Sequence, residues 1–284
     1  YISNLAVVEP LDYLVIGHVA HDLTPDGWRL GGTAAYSALT AQALGLRVGI
    51  VTALGPETSL AQLGDIPVVA LESPNSTIFE NIYTKQGRVQ YLRAQATRLD
   101  FSYVPEVWRQ APIIHLGPIA NEMDASLPES FSPTLLGLTP QGWMRQWDSE
   151  CRVSRGEWRD ADIALSRAGA VVISREDVNG DDELIEHMAQ HTKVLVVTES
   201  AAGAVLYWNG DRRRFRAPKV TEVDATGAGD VFAAAFFYRL LNTHDPWEAT
   251  RFATMLASCS VTRPGLEGIA TDGEVAVCMI EILP

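Results

Sequence analysis

The chain has 284 residues, of which 47% are hydrophobic and 20% are charged, and this is the composition of a folded globular protein. Its 35 acidic side chains outnumber its 22 basic ones, and the formal charge of −13 argues against a nucleic acid partner, because a phosphodiester backbone would be repelled. No apolar run is long enough to span a membrane, and the chain does not start with a basic-then-apolar leader pattern. We therefore expect a cytoplasmic protein without a membrane partner.

The three cysteines, Cys151, Cys259 and Cys278, are widely separated in the sequence. They form no Cys-x-x-Cys pair, and no clustered histidines accompany them. His18 and His21 also lack a further ligand at metal spacing. This pattern favours a reducing compartment and argues against a structural zinc site.

Apolar β-branched runs alternate with helical patterns along the chain. Short, continuous apolar strands suit a parallel sheet that is buried on both faces. The alternation therefore predicts a doubly wound α/β architecture, and we interpret residues 1–284 as a single domain. The predicted strands cover residues 13–19, 48–53, 113–117, 170–174 and 194–198, and the predicted helices cover residues 33–44, 142–148 and 231–241.

Two segments interrupt this alternation. Residues 76–94 alternate apolar and polar side chains on either side of a turn at residues 85–87, which predicts an antiparallel hairpin. Residues 22–30 can lie beside it as a second short element, so that the two form a small β flap over one end of the sheet. A hairpin at the edge of the main sheet is the alternative. The longest charge block, residues 212–214, is expected on a solvated hairpin.

Residues 223–232, with the sequence VDATGAGDVF, form a glycine-rich turn at the start of a strongly apolar helix. Such a turn directs unpaired backbone N–H groups towards an anion at the positive end of the helix dipole. It needs no lysine, and no lysine of this chain follows a glycine as in a Walker A loop. Asp230 would repel a phosphate there unless it had its own task, such as accepting a proton from an attacking hydroxyl. Alternatively, Asp230 only caps the helix.

The segment DATGAGD, residues 224–230, resembles the carboxy-terminal signature of the ribokinase-like (PfkB-type) carbohydrate kinases. The glycine pair Gly31-Gly32 at the start of a predicted helix resembles their amino-terminal signature. Residues 115–119, 197–203 and 260–265 are also similar to segments of that family, so the resemblance covers nearly the whole chain. It implies a ribokinase-like fold, a doubly wound and mostly parallel sheet with helices on both faces and a small β flap.

The resemblance also implies a function. It points to a kinase that uses ATP and Mg²⁺ to phosphorylate an alcohol group of a small sugar or polyol, cyclitols included, with K⁺ as a possible activator. Asp230 would be the general base, and the turn at residues 225–229 would form the anion hole. The other implied site residues are Gly227, Ala228 and Gly229 for catalysis, Asp22, Gly31, Gly32 and Tyr36 for the substrate, Thr198, Gly203, Ala225, Thr226 and Cys259 for the nucleotide, and Asp177 and Asp224 for metal ions.

The chain departs from the family pattern at three places. Ser174 replaces the asparagine of an Asn-x-x-Glu motif, and Asp177 stands where that motif has glutamate. Tyr36 replaces an asparagine that touches the sugar, so we expect ribose to be a poor substrate. The flap is short, which leaves both a monomer and a homodimer open.

Three other interpretations remain. A nucleoside kinase of the same family would need an aromatic wall for the base, which the sequence does not make obvious. A sugar- or nucleotide-binding protein without turnover is disfavoured by the intact Gly227, Gly229 and Asp230. A dinucleotide-dependent oxidoreductase is disfavoured because no G-x-G-x-x-G segment follows the first predicted strand. Asp22, finally, could be no more than a turn former.

Overall fold

The structure, a computed structural model, describes residues 8–280. The strands in this range are β1 (Tyr13–Ile16), β2 (Ala20–Thr24), β3 (Gly27–Gly31), β4 (Val48–Leu54), β5 (Val68–Glu72), β6 (Thr77–Thr84), β7 (Gly87–Ala94), β8 (Ile113–Leu116), β9 (Leu135–Leu138), β10 (Arg145–Trp147), β11 (Val153–Arg155), β12 (Ala170–Ser174), β13 (Val194–Thr198), β14 (Ala204–Trp208) and β15 (Asp211–Phe215). The α-helices are α1 (Gly32–Ala43), α2 (Ala161–Arg167), α3 (Asp182–His191), α4 (Ala228–Thr243), α5 (Pro246–Ser260) and α6 (Asp272–Met279).

A nine-stranded sheet forms the centre of the structure, in the order β15-β14-β13-β12-β9-β8-β1-β4-β5. The strands from β13 to β5 run parallel, and β14 and β15 continue the sheet as antiparallel strands. Because parallel strands end at the same edge of a sheet, the loops that follow β1, β8, β9, β12 and β13 converge on one side. The hairpin predicted around residues 212–214 is the exposed turn from β14 to β15.

Apolar clusters cover both faces of this sheet. Tyr13 and Val15 of β1 face the cluster that α1, α4 and α5 complete, whereas Leu14 and Ile16 face the cluster that α2 and α3 complete. All four side chains are fully buried, which explains why the strand reads as a continuous apolar run. The predicted doubly wound α/β fold is therefore confirmed.

A second sheet of four strands, in the order β3-β2-β6-β7, forms the predicted small flap. Thr84 pairs with Gly87 at the end of the β6–β7 hairpin, so the turn lies at the predicted residues 85 and 86. The segment predicted beside it forms β2 and β3, and β2 pairs in parallel with β6. The flap strands thus correspond to the predicted segments at residues 22–30 and 76–94. The interpretation of residues 1–284 as one domain stays a prediction.

The helix predicted for residues 142–148 is wrong. A 3₁₀ turn covers Pro140–Met144, and β10 follows it and pairs with β11 in a short hairpin. Gly142 passes so close to residue 118 that a Cβ atom on it would lie 2.3 Å from the Pro118 carbonyl carbon. The apolar Trp143 and Met144 fill the core from a turn, and their spacing mimics a helix face.

Sequence reasoning did not single out a second pair of histidines. Helices α2 and α3 lie side by side on one face of the sheet. They bring the exposed side chains of Asp162, His187 and His191 together at the surface. A histidine spacing of four residues on a helix, which the sequence shows, was the signal for this cluster.

None of the helices described for residues 8–280 combines the length and the apolar character that a membrane crossing requires.

Candidate active site

One cavity of about 1980 Å³ opens between the carboxyl ends of the central strands and the flap. This is the end at which open parallel sheets bind their ligands, because strand ends and helix N-termini meet there. Within residues 8–280, Gly31 and Cys259 are the predicted site residues that do not line the cavity. The predicted residues that line it are Asp22, Gly32, Tyr36, Asp177, Thr198, Gly203, Asp224, Ala225, Thr226, Gly227, Ala228, Gly229 and Asp230.

The glycine-rich turn leads into α4 at the wall of this cavity. In the described part of the chain, the N–H groups of Ala225, Gly227 and Gly229 donate to no protein acceptor. The Thr226 N–H, by contrast, donates to Asp224 Oδ1 at 2.9 Å, and the Ala228 N–H donates to the Ala225 carbonyl at 3.2 Å. The expectation that every N–H group from Ala225 to Gly229 faces an anion is therefore too broad. The turn offers fewer donors, at the positive end of a sixteen-residue helix.

Asp230 stands in the first turn of α4 and ends a chain of hydrogen bonds. Its Oδ1 accepts a bond from the Thr33 hydroxyl at 2.6 Å. Thr33 Oγ1 accepts from Gln141 Nε2 at 3.0 Å, and Gln141 Oε1 accepts from Arg145 Nη2 at 3.0 Å. Arg145 Nη1 also donates to the Ile119 carbonyl at 2.7 Å, which anchors the chain. Oδ1 of Asp230 is therefore held in place, while Oδ2 has no hydrogen-bond donor among residues 8–280.

The environment of Asp230 suits it to proton transfer. Burial raises its pKa to about 6, although the Thr33 hydrogen bond and the charge of Arg145 oppose this shift. A base whose pKa lies near neutrality can both accept and release a proton at working pH. Asp230 thus combines a fixed orientation, a free oxygen and a suitable basicity.

Asp22 belongs to the flap and faces the same cavity from β2. Burial raises its pKa to about 7, and the charges of Arg145 and Arg88 partly offset this effect. Its Oδ2 occupies the space that a Cβ atom of residue 31 would need, which explains the glycine at Gly31. Gly31 therefore admits the Asp22 carboxylate and does not itself line the site.

Tyr36 is buried, with 4% of its surface exposed, and its edge lines the cavity. The ring lies against Gly227, because a Cβ atom there would be 2.2 Å from Tyr36 Cδ1. Burial raises the pKa of the phenol, and the carboxylates of Asp224, Asp22 and Asp230 add to the shift. The ring packs against the anion turn. A substitution of Tyr36 should therefore lower the activity towards every acceptor, in addition to any change in the preference among acceptors.

Asp177 follows β12 and reaches the cavity from its floor. Its Oδ2 accepts the Ser174 N–H at 2.8 Å, and the Ser174 hydroxyl accepts the Asp177 N–H at 3.1 Å. Burial raises the pKa of Asp177. The serine that replaces the family's asparagine thus fixes the loop, and the carboxylate presents a hard oxygen ligand of the kind Mg²⁺ prefers.

Asp224 joins the anion turn to a neighbouring loop. Its Oδ2 accepts the Gly265 N–H at 2.9 Å, while its Oδ1 holds Thr226. Burial acts to raise its pKa, but the side-chain hydrogen bond of Thr226, the N–H groups of Thr226 and Gly265 and the charge of Arg29 together outweigh burial and hold the pKa below the ordinary value. Oδ2 also accepts a bond from Arg29 Nη1 at 3.4 Å. Both oxygens therefore have donors within the protein, and Asp224 connects the anion turn to the 263–265 loop.

Comparisons with known proteins agree with this fold. Residues 159–271 match the family model described as pfkB family carbohydrate kinase. A cytidine kinase of Thermococcus kodakarensis is 27% identical over 253 residues, which are 80% of this chain and 87% of that protein. A pyrophosphate-dependent kinase of the ribokinase family, solved with a pyrophosphate analogue and myo-inositol, shares the fold with a TM-score of 0.76. The two sequences are 22% identical, and the match covers 90% of this chain and 98% of that protein's chain. The Arabidopsis thaliana ribokinase, complexed with ribose and ATP, shares the fold with a TM-score of 0.70 and 16% identity. This match covers 95% of this chain and 99% of the ribokinase chain.

Residues 159–271 therefore match the pfkB family, and the chain has the fold of ribokinase-family kinases. The resemblance drawn from residues 224–230 and from the glycine pair at residues 31 and 32 is thereby confirmed.

Sequence reasoning missed three polar residues of this ribokinase-like site, Thr33, Gln141 and Arg145. Thr33 directly follows the glycine pair, and this position was the available signal. Gln141 and Arg145 follow β9, a four-residue strand that was not predicted, so nothing marked them as lying at a strand end. Lys219, which lines the cavity, was noted only for its lack of a glycine neighbour.

The structure does not support the assignment of Cys259 to the nucleotide site. The residue lies in the apolar helix α5, as predicted, but its thiol interacts with Cys278 of α6. Ala257, Ser258 and Val261 line the cavity instead. Ala257 and Ser258 lie on one face of α5, and Val261 follows at its C-cap. Cys259 points away from that face because successive helical residues are rotated by about 100°.

Thr33→Val should shift the acidic limb of the pH profile of the proposed reaction towards higher pH. The Thr33 hydrogen bond stabilises the ionised Asp230, so its loss favours the protonated form, which cannot act as a base. The parent enzyme should lose kcat/KM below about pH 6, and the variant should lose it at a higher pH. Steady-state rates from pH 5 to 9 measure both limbs.

Thr40→Val is the matched control for this variant. Thr40 is buried in the same helix, and its hydroxyl donates to the Tyr36 carbonyl at 2.7 Å, away from Asp230. Its profile should follow that of the parent enzyme. Identical profiles for Thr33→Val and Thr40→Val would show that Thr33 does not tune the base.

Proposed function

We propose that this protein is an ATP-dependent kinase that phosphorylates an alcohol group of a small sugar or polyol, cyclitols included. The observation that carries the proposal is the Asp230 carboxylate, held by Thr33 in the same turn as the unpaired N–H groups of Gly227 and Gly229. A base and an anion hole on one turn are the two parts that a phosphoryl transfer to a hydroxyl needs.

The flap side of the cavity supports a polyhydroxylated acceptor. Carboxylate, amide and guanidinium groups line it at short spacing, and together they offer both donors and acceptors to neighbouring hydroxyls. Asn81 and Gln90 face each other across the β6–β7 hairpin with a hydrogen bond of 3.1 Å. The polar residues on this side are Asp22, Asn81, Gln90, Gln141 and Arg145.

The opposite side of the cavity supports a nucleotide donor. Pro218, Val220, Ala257 and Val261 line this region and form an apolar surface on which a nucleobase can pack. Lys219 adds a positive charge near the same wall. Pyrophosphate has no nucleobase that could pack on this apolar surface, so we favour ATP as the donor.

In the proposed reaction, Oδ2 of Asp230 accepts the proton of the acceptor hydroxyl. The acceptor oxygen then forms a bond to the γ-phosphorus of ATP, the bond to the β-γ bridging oxygen breaks, and ADP leaves. The N–H groups of Gly227 and Gly229 stabilise the negative charge on the transferring group. Asp22 holds the other hydroxyls of the acceptor. Asp177 would hold Mg²⁺, and the ion would neutralise phosphate charge.

Catalysis should depend strictly on Mg²⁺ and should be stimulated by K⁺. No lysine lies in the anion turn, so a divalent ion is needed to offset the phosphate charge. The K⁺ effect is expected from the resemblance at Asp224 and the 263–265 loop. Rates measured after chelation with EDTA and after return of Mg²⁺ test the first claim. Equal rates in Na⁺, K⁺ and a large organic cation would contradict the second.

A screen of acceptors and donors tests the proposed function directly. The full chain is incubated with Mg²⁺, K⁺ and single sugars, polyols, cyclitols or nucleosides, with ATP or pyrophosphate as donor. We expect ADP formation with ATP and at least one sugar, polyol or cyclitol, and little with ribose. Binding of ATP without ADP formation above the acceptor-free control would instead favour a binding protein on the kinase fold.

A nucleoside acceptor is the second candidate. Tyr83 of β6 lines the cavity with 75% of its surface exposed, and such a ring on the flap can stack on a base. The cytidine kinase relative adds to this observation. Turnover of cytidine that exceeds turnover of every sugar and polyol, and that falls in Tyr83→Ala, would decide for this candidate.

A further inference from the structure

A cluster of potential metal ligands lies on the surface formed by α2 and α3, outside the residues that line the active-site cavity. His187 and His191 stand one turn apart on α3, and Asp162 of α2 faces them. His187 Nε2 lies 2.8 Å from Asp162 Oδ1, and His191 Nε2 lies 3.9 Å from Asp162 Oδ2. The three side chains therefore direct their donor atoms at one point.

The second ring nitrogen of His191 is already engaged. Its Nδ1 lies 2.8 Å from the His187 carbonyl, and a carbonyl can only accept, so Nδ1 carries the proton. In the neutral ring, Nε2 then presents its lone pair towards Asp162. Metal-binding histidines are commonly oriented by such a bond from the other nitrogen to a carbonyl.

The spacing of the donor atoms suits a small ion. All three lie within 4.8 Å of one another. A tetrahedral ion with bonds of about 2.0–2.2 Å needs its ligands about 3.4 Å apart, so only small rotations of exposed side chains are required. His187 and His191 are in ring contact at 4.1 Å between centroids, which shows that the two imidazoles already converge.

The surroundings favour a cation. Asp182, Glu183 and Glu186 line the surface depression that contains His187. Asp182 pairs with Arg175 at 2.8 Å, so Glu183 and Glu186 supply the net negative charge of this surface. Two imidazoles and one carboxylate form a borderline ligand set that suits Zn²⁺ and similar first-row ions, whereas Mg²⁺ prefers oxygen ligands alone.

We propose that Asp162, His187 and His191 form a surface site for a divalent transition-metal ion of the Zn²⁺ class, with a fourth position open to water. On binding, the neutral His187 ring gives up its Nε2 proton and takes one at Nδ1, so that Nε2 can coordinate the ion. No electron transfer is involved. The ion bridges α2 and α3 and therefore stabilises their contact by mass action.

The site is tested with the full chain and Zn²⁺ as the probe, in a buffer that contains millimolar Mg²⁺. Isothermal titration should show one equivalent bound, and saturation should raise the melting temperature. The His187→Ala/His191→Ala variant should lose both effects, and Asp162→Asn should weaken Zn²⁺ binding by about tenfold or more. His244→Asn is the control, because His244 is exposed and lies outside the cluster.

Uptake of Zn²⁺ that is unchanged in the His187→Ala/His191→Ala variant would overturn the proposal, since the ion would then bind elsewhere. Absence of Zn²⁺ binding in the Mg²⁺-containing buffer would overturn it as well. All three ligands are exposed, so their replacement should not prevent folding, and the melting curve of each metal-free variant checks this.

Discussion

Asp230→Asn should lower kcat by about 10²–10⁴, the usual contribution of a positioned general base. The amide keeps the shape of the side chain and can still accept the Thr33 hydrogen bond, but it cannot take a proton from the acceptor. The loss corresponds to roughly 3–5 kcal/mol of the activation barrier. Rates of ADP formation under saturating ATP and acceptor measure it.

Folding and nucleotide binding should survive this substitution. The native pKa of Asp230 of about 6 lies above its ordinary value of 3.8, so the native state holds the proton more tightly than the unfolded chain. Above pH 6 the ionised carboxylate therefore costs folding free energy, and this cost grows as the pH rises from about 4 to 6. The uncharged amide avoids it, so the melting temperature at pH 8 should equal or exceed that of the parent. Turnover of Asp230→Asn within a few-fold of the parent would contradict the role of Asp230 as general base and favour the alternative that it only caps the helix.

Gly227→Ala should lower kcat/KM by about 10² or more, because it displaces the anion turn. Residue 227 has a φ of +78°, which costs an L-residue about 1–2 kcal/mol. Its new Cβ would also lie 2.2 Å from Cδ1 of the buried Tyr36 ring, so the ring or the turn would have to move. The Gly227 and Gly229 N–H groups would then no longer meet the transferring phosphoryl group. Kinetics and melting curves of the variant measure the two consequences.

Two further variants separate steric conflict from backbone strain. In the Gly227→Ala/Tyr36→Ala variant, the overlap disappears while the strain at φ remains, so part of the lost activity should return and the two effects should not add. Gly229→Ala is the stability control, because its Cβ would meet no atom within 4 Å and its φ is not positive. Additive losses in the Gly227→Ala/Tyr36→Ala variant would contradict the proposed support of the turn by Tyr36.

Local chemistry allowed the sequence to predict much of this protein. The central strands are buried on both faces, so their residues form continuous apolar runs, and the strands beginning at Tyr13, Val48, Ile113, Ala170 and Val194 were found. The Gly227 turn was found because a left-handed φ at a helix start leaves a glycine signal in the sequence itself. Asp22 was assigned from the family resemblance and Asp230 from its place in the glycine-rich turn; both line the cavity, and their roles stay predictions.

Tertiary structure decided the features that depend on distant residues. Thr33 bonds to Asp230 across 197 residues and Gln141 bonds to Thr33 across 108, and no local pattern marks such partners. Arg145 joins this chain only through Gln141, four residues away, whose own partner is distant. Residues 142–148 show helical spacing, yet the close approach of Gly142 to Pro118 and the pairing with β11 force a turn and a strand. Cys259 lies in the predicted helix, but its side chain does not lie on the face of α5 that lines the cavity. Local sequence patterns predict strands, helices and turns because these depend on neighbouring residues in the chain. The hydrogen-bond partners of a buried polar group are determined only when distant elements pack together.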